Sequence, residues 1–367
     1  MKPEYLSILR DVLSAPTAPF HESAVERCVI GWAQRLGVTV AQDRYGNLMA
    51  HLRRGRRPKG FAPWALAAHM DHPGFISRRQ RGQTVWGEFM GGVGLQYFPG
   101  ARMAWHTQDG LVKGAVQSVQ AAQPARGRPF LAVRVKLDAM RNRPPVPPGT
   151  LGMWDLPAIA IRGRRLASRA CDDLVGLCMA MCAIEDFVRS DEPGEFYLLA
   201  TRAEEVGLIG AIGACRSHSL PGWVGVAAIE TSSLVGMPVK QGSGVIVRVG
   251  DKSSVFDPLT TATLCDAAGD LARQDGDFRW QRALMSGGTC ESTAYCQYGY
   301  SATGLCLALG NYHNQGPGGI APETIDLADF VSGVKLLRSL ARRSANSASQ
   351  RLRKVFAGLW NQRKEML

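Results

Sequence analysis

Five times in this sequence an apolar run stops at residues that can hold a cation, and that recurrence limits the available folds more than any other feature. The stretches are AAHMDHPGF with His69 and Asp71, ASRACDDLVG with Asp172 and Asp173, LLATRAEEVGLIGA with Glu204 and Glu205, WVGVAAIETSS with Glu230, and LALGNYHNQG with His313. Side chains alternate along an extended strand, so His69 and Asp71 fall on one face, where a carboxylate can orient an imidazole. In an open α/β sheet, ligands collect outside the carboxyl ends of the strands. Each stretch also has an ordinary alternative. Paired acids bias the charge of a helix N-terminus, a histidine before Asn and Gly suits a loop, and Glu230 can neighbour a helix cap at Thr231 and Ser232. Together, the two histidines and the carboxylates form the mixed nitrogen and oxygen set that suits a borderline cation such as zinc.

The remaining pattern divides the chain. At 367 residues it is long enough for at least two structural units. MKPEYLSILRDVLS is an amphipathic helix, a second helix can end at Gly37, and VTVAQDRYGNLMAHL is a hairpin turning at Tyr45, Gly46 and Asn47. From Ile76 to about Leu166 the chain is rich in Gly, Pro, Val and Arg, with short alternating runs such as LAVRVKL, the character of a small β-barrel or sandwich. Strand and helix patterns then alternate to about Arg343, implying an α/β sheet with helices on both faces. The expected division is an α/β domain over 1–75 and 167–343, an inserted β domain over 76–166, and a terminal element over 344–367. In the last, SANSASQ is a linker-like break. Leu352, Val355, Phe356, Leu359 and Trp360 follow at helical spacing, with Arg351, Arg353, Lys354, Arg363 and Lys364 around them. Such a helix can dock on its own domain, on a neighbouring subunit or on a membrane surface.

The formal charge of +12 is unevenly spread. Residues 76–166 hold fourteen Lys/Arg against four Asp/Glu, and residues 335–367 nine against one, so the rest of the chain carries −6. An acidic body with two basic attachments differs from a uniformly basic binder. Neither basic zone carries a nucleic-acid motif or the interleaved aromatics that base stacking requires, so a non-catalytic nucleic-acid-binding protein is the weakest reading and no nucleic-acid partner is expected. No run of eighteen apolar residues occurs, which sets aside a membrane partner and points to a soluble, cytoplasmic protein. The nine cysteines lack paired CxxC spacing, as reduced, buried thiols do.

Over about residues 5–343 the sequence resembles the dinuclear-metal aminopeptidases that include glutamyl and deblocking aminopeptidases and the tetrahedral, twelve-subunit aminopeptidases. The motifs that carry the likeness are SAPTAPFHE, DRYGNL, HMD, VPPGTLGMWD, ACDDLVG, AEEVGLIGA, SGGT and YHN, in the family's order. The resemblance implies a zinc-peptidase-type mixed sheet flanked by helices, with a PDZ-like β-barrel inserted for dimerisation and as a lid. It also implies that His69 binds one metal, Asp172 bridges two, Glu230 completes the first site, and Glu205 with His313 binds the second. Glu204 is then the general base, and Asp71 holds His69 in orientation. Two divalent ions per subunit follow, with Zn²⁺ first and Co²⁺ or Mn²⁺ compatible. Short peptides are the implied substrates, and a homo-oligomer, from dimer up to dodecamer, is the implied assembly. The alternative activity is hydrolysis of N-acyl amino acids by the same centre. Three departures stand out: Glu230 replaces the usual aspartate, His72 follows HMD where an acid is usual and is expected at the mouth of the site, and SGGTCES lacks the aspartate that commonly follows GGT.

Overall fold

Buried β-branched and small apolar runs make the strands of a mixed sheet, and the computed structural model describes them within residues 1–121, 130–139 and 144–366. Strands β1 (Val40–Gln42) and β2 (Leu48–Arg54) form the expected hairpin. Its turn is held by the Asp43 carboxylate, which accepts the backbone N–H of Tyr45 and Asn47 at 2.9 and 3.0 Å. Strand β3 (Trp64–His69) is buried along its whole length. Its alternate residues feed different cores: Ala65 and Ala67 pack with Ala211 and Tyr295, while Leu66 and Ala68 pack with helix Leu174–Val188. Both faces of the sheet are therefore covered.

After β3 the chain leaves the sheet. Strands β4 (Gly74–Arg81), β5 (Thr84–Met90), β6 (Arg102–Thr107), β7 (Gly110–Ala121), β8 (Leu131–Leu137) and β9 (Leu151–Trp154) close into a barrel in the order β4-β5-β8-β7-β6-β9. Closure removes the exposed strand edges. The interior is filled by Phe75, Phe89, Phe98, Trp105 and Trp154 in mostly edge-to-face contacts. Gly152 is required there, because a Cβ at that position would lie 2.7 Å from the Trp105 ring. Four of the insertion's arginines, Arg126, Arg128, Arg141 and Arg143, lie outside the described residues.

A short hairpin, β10 (Ala160–Arg162) and β11 (Arg165–Ser168), leads back to the main body. There, thirteen of the fifteen residues of helix Leu174–Val188 are buried, which explains why that segment has no polar face. Strands β12 (Gly194–Thr201), β13 (Gly225–Ser233), β14 (Val245–Gly250), β15 (Trp280–Leu284) and β16 (Ser301–Leu309) complete an eight-stranded sheet ordered β1-β2-β12-β3-β13-β16-β14-β15. Adjacent β12, β3, β13 and β16 run parallel, so their carboxyl ends share one edge.

Two local expectations change. SANSASQ is anchored rather than linker-like: Ala345 and Ala348 are buried, Ser344 Oγ accepts the Ala62 N–H at 2.8 Å, and a helix already spans Ser347–Arg363. Glu230 is not a strand end, because β13 continues through Ser233. All nine cysteines are free, and no helix among the described residues is long and apolar enough to cross a membrane.

Candidate metal centre

At the carboxyl edge of the parallel strands, five elements converge. β3 ends on His69, and Asp172 sits just ahead of helix Leu174–Val188. β12 passes through left-handed Ala203 (φ 50°) into the turn that carries Glu204 and Glu205. β13 offers Glu230 from its interior. Beyond β16, Asn311, His313 and Asn314 all take left-handed backbone conformations, which turn the His313 imidazole back over the sheet.

The ligand atoms fall into two groups that share one residue: His69, Asp172 and Glu230 form the first, Asp172, Glu205 and His313 the second. His69 Nε2 lies 3.7 Å from Asp172 Oδ1 and 3.8 Å from Glu230 Oε2. His313 Nε2 lies 3.4 Å from Asp172 Oδ2 and 3.0 Å from Glu205 Oε1. The two Asp172 oxygens thus face different histidines. Each imidazole also turns its Nδ1 to a backbone carbonyl, His69 to Asp71 O at 3.0 Å and His313 to Gly92 O at 2.7 Å. With Nδ1–H donating there, Nε2 is left with its lone pair toward the carboxylates. Gly92 belongs to the inserted segment, which therefore touches the site directly.

A layer of buried acids holds these ligands. Asp71 acts on two fronts: its carbonyl meets His69, but its carboxylate accepts the backbone N–H of Glu204 and Glu205 at 2.9 and 3.1 Å and so fixes the acidic turn. Its carboxylate stands 3.6 Å from His69 Nδ1. Glu323 was not singled out from the sequence, yet it ties three segments together. One oxygen accepts from the N–H of Cys171 and Asp172 at 2.7 and 3.0 Å, and the other from His313 N–H at 2.8 Å. Glu22 anchors the strand exit by accepting from Ala203 N–H and Arg202 Nε. His72 is not at the mouth as expected. It is fully buried, with Nδ1 2.6 Å from Asp172 O and Nε2 3.1 Å from Asn314 Oδ1, because the sharp turn after β3 points it inward. Asp173 is buried with neither oxygen hydrogen-bonded among the described residues, in space that Gly176 leaves open.

Electrostatics tests whether cations fit. Burial and the neighbouring acids push Glu230 up to about 8, and burial raises Glu204 and Asp173 well above the carboxylate range. Burial opposes protonation of His69, but the Asp172 and Asp71 carboxylates outweigh it and raise its pKa. Acids in this excess, shielded from water, are costly unless paired with positive charge. Glu205 Oε1 and Glu230 Oε1 are buried without a hydrogen-bond partner among the described residues. Two divalent cations, one in each ligand group, would satisfy those oxygens and offset the repulsion. The donor set and its geometry therefore fit the metals.

A cleft of about 90 Å³ opens onto the centre, lined by Glu204, Glu230, Arg248, Thr289, Tyr312 and His313. The two neighbouring glutamates differ in access: Glu204 lines this cleft, whereas Glu205 faces His313 behind it. Arg248 is buried with its Nη1 donating to Ser232 Oγ at 3.2 Å, and Tyr312 stacks on His313 at 3.8 Å.

The model of the M42 glutamyl aminopeptidase family matches residues 46–321. Among solved structures, the chain is similar to an aminopeptidase from the archaeon Desulfurococcus kamchatkensis, at 20% identity and a TM-score of 0.75 over 95% of this chain and 97% of that one. It is similar to a TET aminopeptidase from a marine-sediment Thaumarchaeota archaeon, at 19% identity and a TM-score of 0.75 over 93% and 97%. It also matches the Pyrococcus horikoshii TET1 peptidase, described as able to assemble into a tetrahedron or a large octahedral shell, at 20% identity and a TM-score of 0.72 over 92% and 99%.

Proposed function

Because the chain belongs to the M42 glutamyl aminopeptidase family, and is thus a peptidase, we propose that it is a metal-dependent aminopeptidase that removes N-terminal residues from short peptides at a dinuclear centre. The observation that carries this reading is the pair of ligand groups sharing Asp172, with Glu204 on the cleft wall beside them. His69, Asp172 and Glu230 would hold one cation, and Asp172, Glu205 and His313 the other. Cations so placed would supply polarisation of a peptide carbonyl and a water acidic enough to attack near neutral pH. Glu204 takes the proton from the attacking water and delivers it to the leaving amine, since it alone of the adjacent pair faces the cleft. Asp71 keeps Glu204 and Glu205 in register through their backbone N–H groups.

The small cleft suits one terminal side chain rather than a continuous peptide. Arg248 on its wall supplies the positive charge that an acidic side chain would meet, so N-terminal Glu or Asp is the preferred substrate. Residues 76–166 form a PDZ-like insertion that serves in dimerisation and as a lid, a reading supported by the Gly92 carbonyl reaching His313. The terminal helix leaves Val355, Phe356 and Trp360 exposed, an apolar strip for a second copy, and we place the subunits in a homo-oligomer. Nine free cysteines suit a reducing compartment, the cytoplasm.

Purified protein assayed on aminoacyl nitroanilides and on N-acyl amino acids, before and after chelation and metal add-back, tests the activity. The expected result is metal-restored cleavage of free-amine substrates, greatest for Glu and Asp. Cleavage confined to N-acyl amino acids would make the protein a deacylase instead.

A further inference from the structure

At the opposite edge of the same sheet, residues 53–59 read RRGRRPK, five cations in seven positions. They wrap the amino end of β12 and enclose a cavity of about 200 Å³ lined by Arg53, Arg54, Arg56, Arg57 and Arg342, with Glu195 among them and Pro58 and Phe61 as apolar wall. An eight-residue strand separates this cavity from the metal centre, roughly 25 Å.

Only part of this charge is met within the protein. The Glu195 carboxylate, itself buried, accepts from Arg57 Nε at 2.7 Å and from Arg57 Nη2, and Arg342 pairs with Glu192 at 3.1 Å. Arg53 and Arg56 have no ion pair among the described residues. Arg54 donates Nη2 to Val188 O at 2.9 Å and keeps Nη1 buried with no acceptor among the described residues. Three guanidinium groups around one small cavity thus lack a carboxylate partner among the described residues, and an entering anion would supply one. Two of the cavity's guanidinium groups are also braced by rings. Arg57 lies over the Trp223 ring at 4.2 Å and Arg54 over Phe187 at 6.0 Å, so they are oriented before any ligand arrives.

We propose that this cavity binds a compact multivalent phosphate, a di- or triphosphate group, at a site separate from the metal centre. Guanidinium forks match phosphate oxygens two at a time, and several forks on one cavity match an anion carrying several charges. The cavity is smaller than most organic-ligand pockets, which favours a compact oxyanion over a peptide.

Calorimetric titration with sodium tripolyphosphate at low ionic strength tests the site, comparing the wild type with an Arg53→Ala/Arg56→Ala double variant. Both side chains are exposed and unpaired, so the fold and the metal centre stay intact, and any chelation of metal by the titrant is common to both proteins. Binding is expected in the wild type and at least about tenfold weaker in the double variant, since each hydrogen bond to a charged group contributes about that factor or more. Arg54→Gln is the second variant and is expected to weaken binding as well. Equal affinity in wild type and double variant would overturn the proposal. Retention on anionic phospholipid vesicles or on single-stranded DNA that tripolyphosphate fails to displace would overturn it too, in favour of a surface for those polymers or membranes.

Discussion

The two edges of the central sheet are built from the same strands and carry opposite charge. At the carboxyl edge, β3, β12 and β13 deliver His69, Glu204, Glu205 and Glu230 into a pocket where acids outnumber bases. At the amino edge, the end of β2 and the segment after it crowd arginines around a single buried acid, Glu195. Parallel strands gather loops at both ends, but the backbone does not decide what binds there. The sign of the unmatched charge sets what each edge suits, cations at the acidic edge and anions at the arginine edge.

Substitutions at each edge should therefore fail in different currencies, metal content at one and anion affinity or stability at the other. The largest effect is expected from Asp172→Ala, which removes a ligand common to both groups: both metals should be lost and turnover should fall about 10³-fold or more, the several kcal/mol that metal polarisation supplies. His69→Ala and His313→Ala should each lose one metal preferentially. Metal analysis giving equal stoichiometry in all three variants would remove these residues from the coordination shell.

Glu323→Gln comes next. It leaves every ligand in place but weakens the clamp on Cys171, Asp172 and His313, so metal affinity should fall about 10- to 100-fold, read by competition with a chelating dye. A change confined to thermal stability would reduce Glu323 to a packing role.

Arg248→Gln sharpens the comparison from inside the acidic edge, where that arginine lines the cleft over the candidate metal centre. The ratio of kcat/KM for glutamyl over leucyl nitroanilide should drop about tenfold, the worth of one charge-assisted hydrogen bond. An unchanged ratio would mean that Arg248 serves only to hold Ser232.

The smallest effect lies at the arginine edge. Burial works to raise the Glu195 pKa, but hydrogen bonds from Arg57 and His51 prevail and hold it below its usual value. A carboxylate with a depressed folded pKa contributes stability that is present above the unfolded value, near 4.5, and is lost as pH falls through the folded value. Glu195→Gln should cost about 1–3 kcal/mol at pH 7, and the gap in Tm between the two proteins should close as pH drops below that range. A gap independent of pH would assign the loss to packing.

The stretches that converge at the carboxyl edge stood out because each couples an apolar run, which fixes a strand or a buried helix, to an abrupt donor residue. The barrel was legible from alternation without a helical period. What the sequence concealed is the support. Glu323 sits in APETIDLADF, where a single acid looks like an ordinary solvated charge, and only the folded chain brings it against Asp172 and His313. Gly92 contributes a carbonyl, which no side-chain pattern can announce. The cations at 53–59 disappeared into a body whose net charge is negative, since a regional sum hides a local cluster. SANSASQ has the composition of a linker, but two small alanines let it pack tightly.

The central claim, that Glu204 moves the proton while Glu205 holds a metal, meets its most direct test in Glu204→Gln, assayed for metal content and steady-state turnover in the same preparation. Glutamine keeps the size and shape of the side chain but cannot accept the proton of water. The expected result is two metals per subunit, KM little changed and turnover lower by at least about a hundredfold, the usual worth of general acid-base catalysis. Near-parental turnover with both metals bound would contradict the claim and pass the proton to another group.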